Sequence, residues 1–224
     1  SGDRNKPKQP IAITEIRSYT ENEWKRRLAE RTDMSSYLVH LTRENSQNNV
    51  DEVLFNILDS RVLLPSNTQQ GYVRGSSGAV CFQDAPLPSV SQNVFYEQKK
   101  IESNPSHKQR YRAIGLMFDK QYVYRKGGRP VIYDKPEVAK QYIAENEWWR
   151  LVNLNLDDPN NIIDWTHERE WRHKGQFTFE LSEVTIVCIN IGTVQILNNK
   201  FKEKYKIDLI SLIKGVVTLD NILC

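Results

Sequence analysis

Three cysteines in 224 residues, without paired or metal-type spacing, leave no basis for a disulfide scaffold or a cysteine-bound zinc, and they fit a reducing compartment. Long apolar runs are missing as well. None approaches the roughly 20 residues that cross a bilayer, and no basic head with an apolar centre begins the chain as in a secretion signal. A cytoplasmic protein with no membrane partner is the expectation. There is little excess charge of either sign: the net charge of +3 announces no polyanionic partner for the chain as a whole, although a local basic patch can still bind one.

The absent motifs narrow the chemistry. There is no Gly-x-Ser-x-Gly elbow and no Gly-x-Gly-x-x-Gly between a strand and a helix. The segment 66–78 carries Gly71, Gly75 and Gly78, yet no Gly-Lys-Ser/Thr closes it, so it reads as a long loop and not as a phosphate-binding one. His167-Glu168 with His173 lacks the two His four apart that a helical zinc site needs, and no metal site is expected. A metal-dependent nuclease would want an Asp and a Glu-x-Lys on adjacent strands. Asp119, Asp134, Glu137 and Lys140 supply that pattern only loosely.

What is present is a globular composition, 39% hydrophobic and 26% charged, with length for one core. Residues 1–10 are polar and rich in Pro and Lys, and 1–18 read as a disordered start, leaving 19–224 as a single domain. Thr20 is an N-cap before acidic and then basic residues, the pattern of a short helix that complements its dipole. Tyr37 to Thr42 reads as a strand whose alternation puts Leu38, His40 and Thr42 on one face. Val50, Val53, Leu54, Ile57 and Leu58 make a helical stripe, and Pro65 stops regular structure. Ala79–Phe82 reads as a buried strand, the segment 83–88 as a turn, and 89–100 as a helix. Tyr111–Phe118 and Pro130–Tyr133 read as strands flanking the turn at Gly127-Gly128, and 137–151 as rich in helix formers. Val184–Ile189 is a further buried strand, and the tail reads as one or two helices and a last short strand. Cys81 and Cys188 fall in apolar runs and read as inert core thiols.

The densest chemistry lies at 164–173, where Asp164, Glu168 and Glu170 alternate with His167, Arg169, Arg172 and His173 around Trp165 and Trp171. It directly precedes an alternating run, 176–181, that reads as a strand. Such packing of charge with aromatic mass suits a site. A Trp-anchored strand edge with surface ion pairs would have the same composition.

Taken in order, His40-Leu41-Thr42-Arg43, the amphipathic helix, Ile57–Leu63, and Gly78–Phe82 followed by Ser89, Ser91 and Tyr96 resemble the NAD-binding half of ADP-ribosyltransferases of the His-Tyr-Glu class. The stretch 165–172, with its Glu-x-Glu-Trp-Arg, and the segment 111–133 also resemble bacterial abortive-phage-infection AbiGi-like proteins. The order His, strand, Glu, strand is similar to DarT-type DNA-modifying ADP-ribosyltransferases. The resemblance covers about residues 37 to 190. Leu41 stands where the family more often has Gly, and Tyr96 and Tyr111 both stand where its middle Tyr would.

The resemblance implies an α+β fold with a split, mostly antiparallel central sheet and surrounding helices. It implies NAD as substrate, with Glu170 stabilising the oxocarbenium ion formed as nicotinamide leaves. Glu168 would activate the acceptor, although an ion pair with Arg169 or Arg172 accounts for it equally. His40 would hold a ribose hydroxyl supported by Thr42, and Phe82 or Tyr96 would stack on nicotinamide. Arg43, Arg74, Arg112 and Arg172 are the candidates for the pyrophosphate. The acceptor would be a protein or a nucleic acid, the latter received by the 66–78 loop with Tyr72 and by Lys25–Arg27. The role implied is a toxin-like effector in bacterial phage defence, with an antitoxin or inhibitor protein as partner. The other reading is a non-catalytic partner-binding or antitoxin-like module on the same fold, in which Glu170 is structural.

Overall fold

The computed structural model describes residues 18–66, 73–74, 77–94 and 114–220. Helix α1 (Glu21–Ala29) opens with a capping box: Thr20 accepts from the Glu23 N–H while the Glu23 carboxylate accepts from the Thr20 N–H. Strand β1 (Tyr37–Leu41) follows, then α2 (Val50–Ser60), which buries Leu54 and Leu58 from the expected stripe. After it come β2 (Val62–Leu63), β3 (Ala79–Gln83), helical residues 87–94 (α3), β4 (Gly115–Asp119), α4 (Lys120–Arg125) and β5 (Arg129–Pro130). The rest of the chain forms β6 (Ile132–Asp134), α5 (Pro136–Ala139), β7 (Leu151–Asn153), β8 (Glu170–Lys174), β9 (Phe177–Thr178), β10 (Thr185–Cys188), α6 (Ile191–Tyr205) and β11 (Gly215–Thr218).

Among the described residues seven strands form one sheet in the order β11-β10-β4-β1-β3-β8-β5. All its pairings are antiparallel except β10 with β11. The fold class is therefore α+β around a large, mostly antiparallel sheet, with β2–β9 and β6–β7 as two small separate pairs.

Two faces result from the pleat. One carries Leu38, Val80, Phe82, Leu116, Phe118 and Ile186, packed against Leu54 and Leu58 of α2 and Val194, Leu197 and Phe201 of α6. The other carries Val39, Leu41, Met117 and Val187, covered by Val90 and Val94 of α3. The β1–β4 contact is close enough that a Cβ on Gly115 would lie 2.1 Å from the His40 carbonyl oxygen, so only glycine fits there.

Several expectations need correction. Helix α3 begins at Leu87, inside the segment read as a turn, because Pro88 is tolerated in a first helical turn. The β4 and β5 strands do not flank a simple turn. The six-residue α4 intervenes, and Gly127, at φ +103°, then reverses the chain. Strand β5 pairs with β8 at the sheet edge instead of with β4. The helix formers of 137–151 are divided between the four-residue α5 and a 3-10 turn at Glu145–Arg150. The alternating run 176–181 contributes only β9, and the charged stretch before it supplies the longer sheet strand, β8. The helix 89–100 beyond residue 94, Tyr111–Ala113, the disordered start up to residue 17 and most of the 66–78 loop, Tyr72 included, lie outside the described residues.

Candidate functional site

Glu170 opens β8 and sits opposite Gln83, while Arg172 sits opposite Cys81. Partners directly across an antiparallel pair share a face, so Cys81, Gln83, Glu170 and Arg172 form one polar block on the side that α3 covers. Residues 80, 82, 171 and 173 point to the opposite, apolar side by the same alternation. The block is buried: Glu170 is 7% exposed, Arg172 2% and Gln83 7%.

Burial of two charges requires pairing, and the geometry supplies it. Arg172 Nε donates to Glu170 Oε1 at 2.7 Å and Nη2 donates to Oε2 at 3.3 Å, a bidentate clasp. Its Nη1 donates to the carbonyls of Trp149 (2.9 Å) and Leu151 (3.1 Å), tying the strand to the segment that leads into β7. The Glu170 N–H donates to the Tyr133 hydroxyl at 2.8 Å, and burial pushes that phenol up to about 12. Burial and then the Glu170 charge push the Cys81 thiol well above its ordinary value, so it stays protonated. It is no nucleophile. Cys188, raised by burial to about 11, is inert by the same reasoning.

Gln83 Oε1 in this block and Ser91 Oγ on α3, the helix over the same face, have no hydrogen-bond partner, and the same holds for Nε1 of Trp149, whose carbonyl Arg172 holds. All three residues are more than nine-tenths buried, and unpaired groups at that depth cost free energy unless something completes them.

Glu168 ends a 3-10 turn (Thr166–Glu168), and Arg169 follows in the left-handed region at φ +43°. The expected simple alternation between Glu168 and Glu170 is therefore broken. The Glu168 charge nevertheless acts on the same Cys81 thiol, so the two carboxylates belong to one neighbourhood.

The early histidine is placed elsewhere. Val39 is the residue of β1 in register with Gln83, so Val39, Gln83 and Glu170 share one face, and His40 lies on the other with Leu38 and its partner Leu116. His40 and Glu170 were expected in one pocket; the pleat sends them to opposite sides of the sheet, with β3 between their strands. The His40 ring bridges to β3, its Nδ1 lying 2.8 Å from the Cys81 carbonyl. Because a carbonyl only accepts, Nδ1 carries the proton. Burial lowers the imidazole pKa, against the carbonyl hydrogen bond, so the ring is neutral at pH 7.

Phe82, expected to stack on nicotinamide, is a core ring 1% exposed, with Phe177 and Phe118 edge-on at 5.3 and 6.1 Å. Thr42 is buried on the His40 face, its N–H donating to the Ile114 carbonyl, and Arg43 is exposed just beyond β1. Arg172 is committed to Glu170, which removes it as a pyrophosphate ligand. Tyr96, Tyr111 and Arg112 lie outside the described residues. The nuclease set is dispersed: Asp119 pairs with Lys214 on one sheet, while Asp134 accepts from Tyr142 on another. Among the described residues no three His, Cys, Asp or Glu gather as metal ligands.

Gln83 and Ser91 were missed as site residues. The i, i+2 spacing of Cys81 and Gln83 in an otherwise apolar strand was the available signal. Comparison with protein-family models, with curated proteins and with solved structures finds no match to this chain.

Proposed function

We propose that the block around Glu170 is the NAD site of an ADP-ribosyltransferase, acting as a toxin-like effector on a macromolecular acceptor in bacterial phage defence. The observation that supports this reading is the conjunction of an ionic Glu170–Arg172 clasp with two buried, unpartnered groups on the same side of the sheet. Gln83 Oε1 accepts and Ser91 Oγ donates. That pair matches a carboxamide, which offers an N–H donor and a carbonyl acceptor, as nicotinamide does.

In the reaction the bond between nicotinamide nitrogen and ribose C1′ breaks, the electron pair leaves with neutral nicotinamide, and the ribose becomes an oxocarbenium ion. Glu170, held in place by the Arg172 clasp, faces that charge with little reorganisation. The acceptor then bonds to C1′ and loses its proton, for which Glu168 is the base. His40 has no part in this arrangement, since it serves the β1–β3 junction from the opposite face.

The test is nicotinamide release and label transfer from radiolabelled NAD in lysate, together with the NAD-induced rise in Tm. Glu170→Gln is expected to lower turnover by roughly a hundred- to a thousandfold while the Tm shift persists. No Tm shift with NAD in the wild-type chain, or unchanged turnover in the variant, removes the proposal.

A second reading has its own support. The same clasp, with Arg172 also holding two carbonyls, would serve a non-catalytic partner-binding or antitoxin-like module in which Glu170 is structural. In that case a protein partner raises Tm and NAD does not.

A further inference from the structure

Where β8 turns its apolar side away from Glu170, a pocket of about 300 Å³ opens between α1, α4 and the sheet. That is the small end of the range for ligand sites, roughly 300–1,000 Å³, and it matches a molecule of one or two fused rings. Its lining is Trp24, Lys120, Gln121, Tyr124, Arg125 and Trp171. The three aromatic rings come from three separate elements, so tertiary packing brings them together and no single amphipathic face does.

The rings are held in place. Trp171 packs against the core from β8 and meets Tyr124 edge to face, centroids 6.4 Å apart. Arg129 lies over Tyr124, 4.0 Å from the ring centroid, and donates to the Tyr124 and Gly128 carbonyls, so it braces the ring and is itself committed. Trp24 is the single aromatic residue of α1 and shares a face with Leu28, the one buried residue of that helix, four positions on. Leu28 anchors the helix while Trp24 stays half-buried at the pocket. Planar walls already in position take a planar ring at little ordering cost.

Charge in the lining is of one sign: Lys120 and Arg125 are cationic, and no carboxylate is among the lining residues. The Lys120 ammonium is committed to Asp84, 2.7 Å away. Glu21 is near enough for its carboxylate to feel Arg125, but it pairs with Lys25 at 2.7 Å. The Arg125 side chain therefore remains the uncommitted cation of the pocket, exposed at the end of α4. Its planar fork fits a carboxylate with two parallel hydrogen bonds, and one unit of positive charge balances one carboxylate but only half of a phosphate dianion.

We propose that this pocket binds a small planar aromatic carboxylate, its ring against Trp24, Tyr124 and Trp171 and its carboxylate on the Arg125 guanidinium. The site is separate from the Glu170 block, because Trp171 and Glu170 are adjacent in a strand and therefore on opposite faces.

The test is calorimetric titration of the chain with three probes that share an indole ring and differ in charge: indole-3-acetate, the neutral alcohol tryptophol and the cation tryptamine. Indole-3-acetate is expected to bind saturably, one molecule per chain, with tryptophol weaker by roughly three- to thirtyfold for want of the charged contact and tryptamine weaker still. Arg125→Gln should bring indole-3-acetate to the affinity of tryptophol while leaving tryptophol unchanged. Trp24→Ala should weaken both by roughly three- to tenfold, the loss of one ring contact. Arg125 is exposed, so its variant is expected to keep the wild-type Tm and to read the carboxylate contact even where Trp24→Ala lowers stability. Absence of saturable indole-3-acetate binding, equal affinity for the acid and the alcohol, or a preference for the acid that survives in Arg125→Gln overturns the proposal.

Discussion

Removing the Arg172 guanidinium tests the centre of the candidate site. Arg172→Met preserves much of the side-chain length but deletes its hydrogen bonds, among them two to Glu170 and one each to the Trp149 and Leu151 carbonyls. It leaves the Glu170 carboxylate 7% exposed and without its counter-charge. Breaking a buried pair by removing one partner costs about 3–5 kcal/mol, because the surviving charge is stranded. For a chain of this size each kcal/mol shifts Tm by roughly 2–4 °C, so a fall of about 6–20 °C is expected. Replacing both partners, Glu170→Leu with Arg172→Met, removes the stranded charge. The double variant should therefore recover at least about 2 kcal/mol relative to Arg172→Met alone. Urea unfolding of the four proteins in a double-mutant cycle measures this coupling. A single variant that loses less than about 1 kcal/mol, or a double variant whose loss equals the sum of the singles, would refute the claim that this pair is a buried, mutually dependent clasp.

Gly115→Ala places a methyl 2.1 Å from the His40 carbonyl, so β1 and β4 must separate; a loss of roughly 1–3 kcal/mol in urea unfolding is expected, and wild-type stability would contradict the close approach. Burial holds the His40 imidazole below its ordinary 6.5, so below about pH 6.5 the unfolded chain takes up the proton first and stability falls as pH falls. His40→Leu should flatten that decline between pH 6.5 and 5, and an unchanged slope would show that another group is responsible.

Much of the fold was legible because its signals are local. The Thr20 cap, the α2 stripe of Leu54 and Leu58, and the strands at Ala79 and Thr185 follow from side-chain period and capping chemistry, which need no knowledge of distant residues. The errors fell where local preference is ambiguous. Lys120–Arg125, with two Tyr and a Val, has the composition of a strand yet winds into α4, and the helix formers of 137–151 are divided among short turns.

The sequence alone put a carboxylate-rich stretch between Trp165 and Trp171, ahead of an expected strand, and it singled out Glu170 and Glu168. Tertiary structure decided what those carboxylates face. Because side chains alternate across a strand, a one-residue difference in register exchanges the two sides of a sheet, and register is set by pairing with strands far away in the chain. The pairing of Val39 with Gln83 and of Gln83 with Glu170 put Glu170 beside Arg172, Gln83 and the α3 face, and sent His40 to the other side. No local pattern in the chain contains that choice.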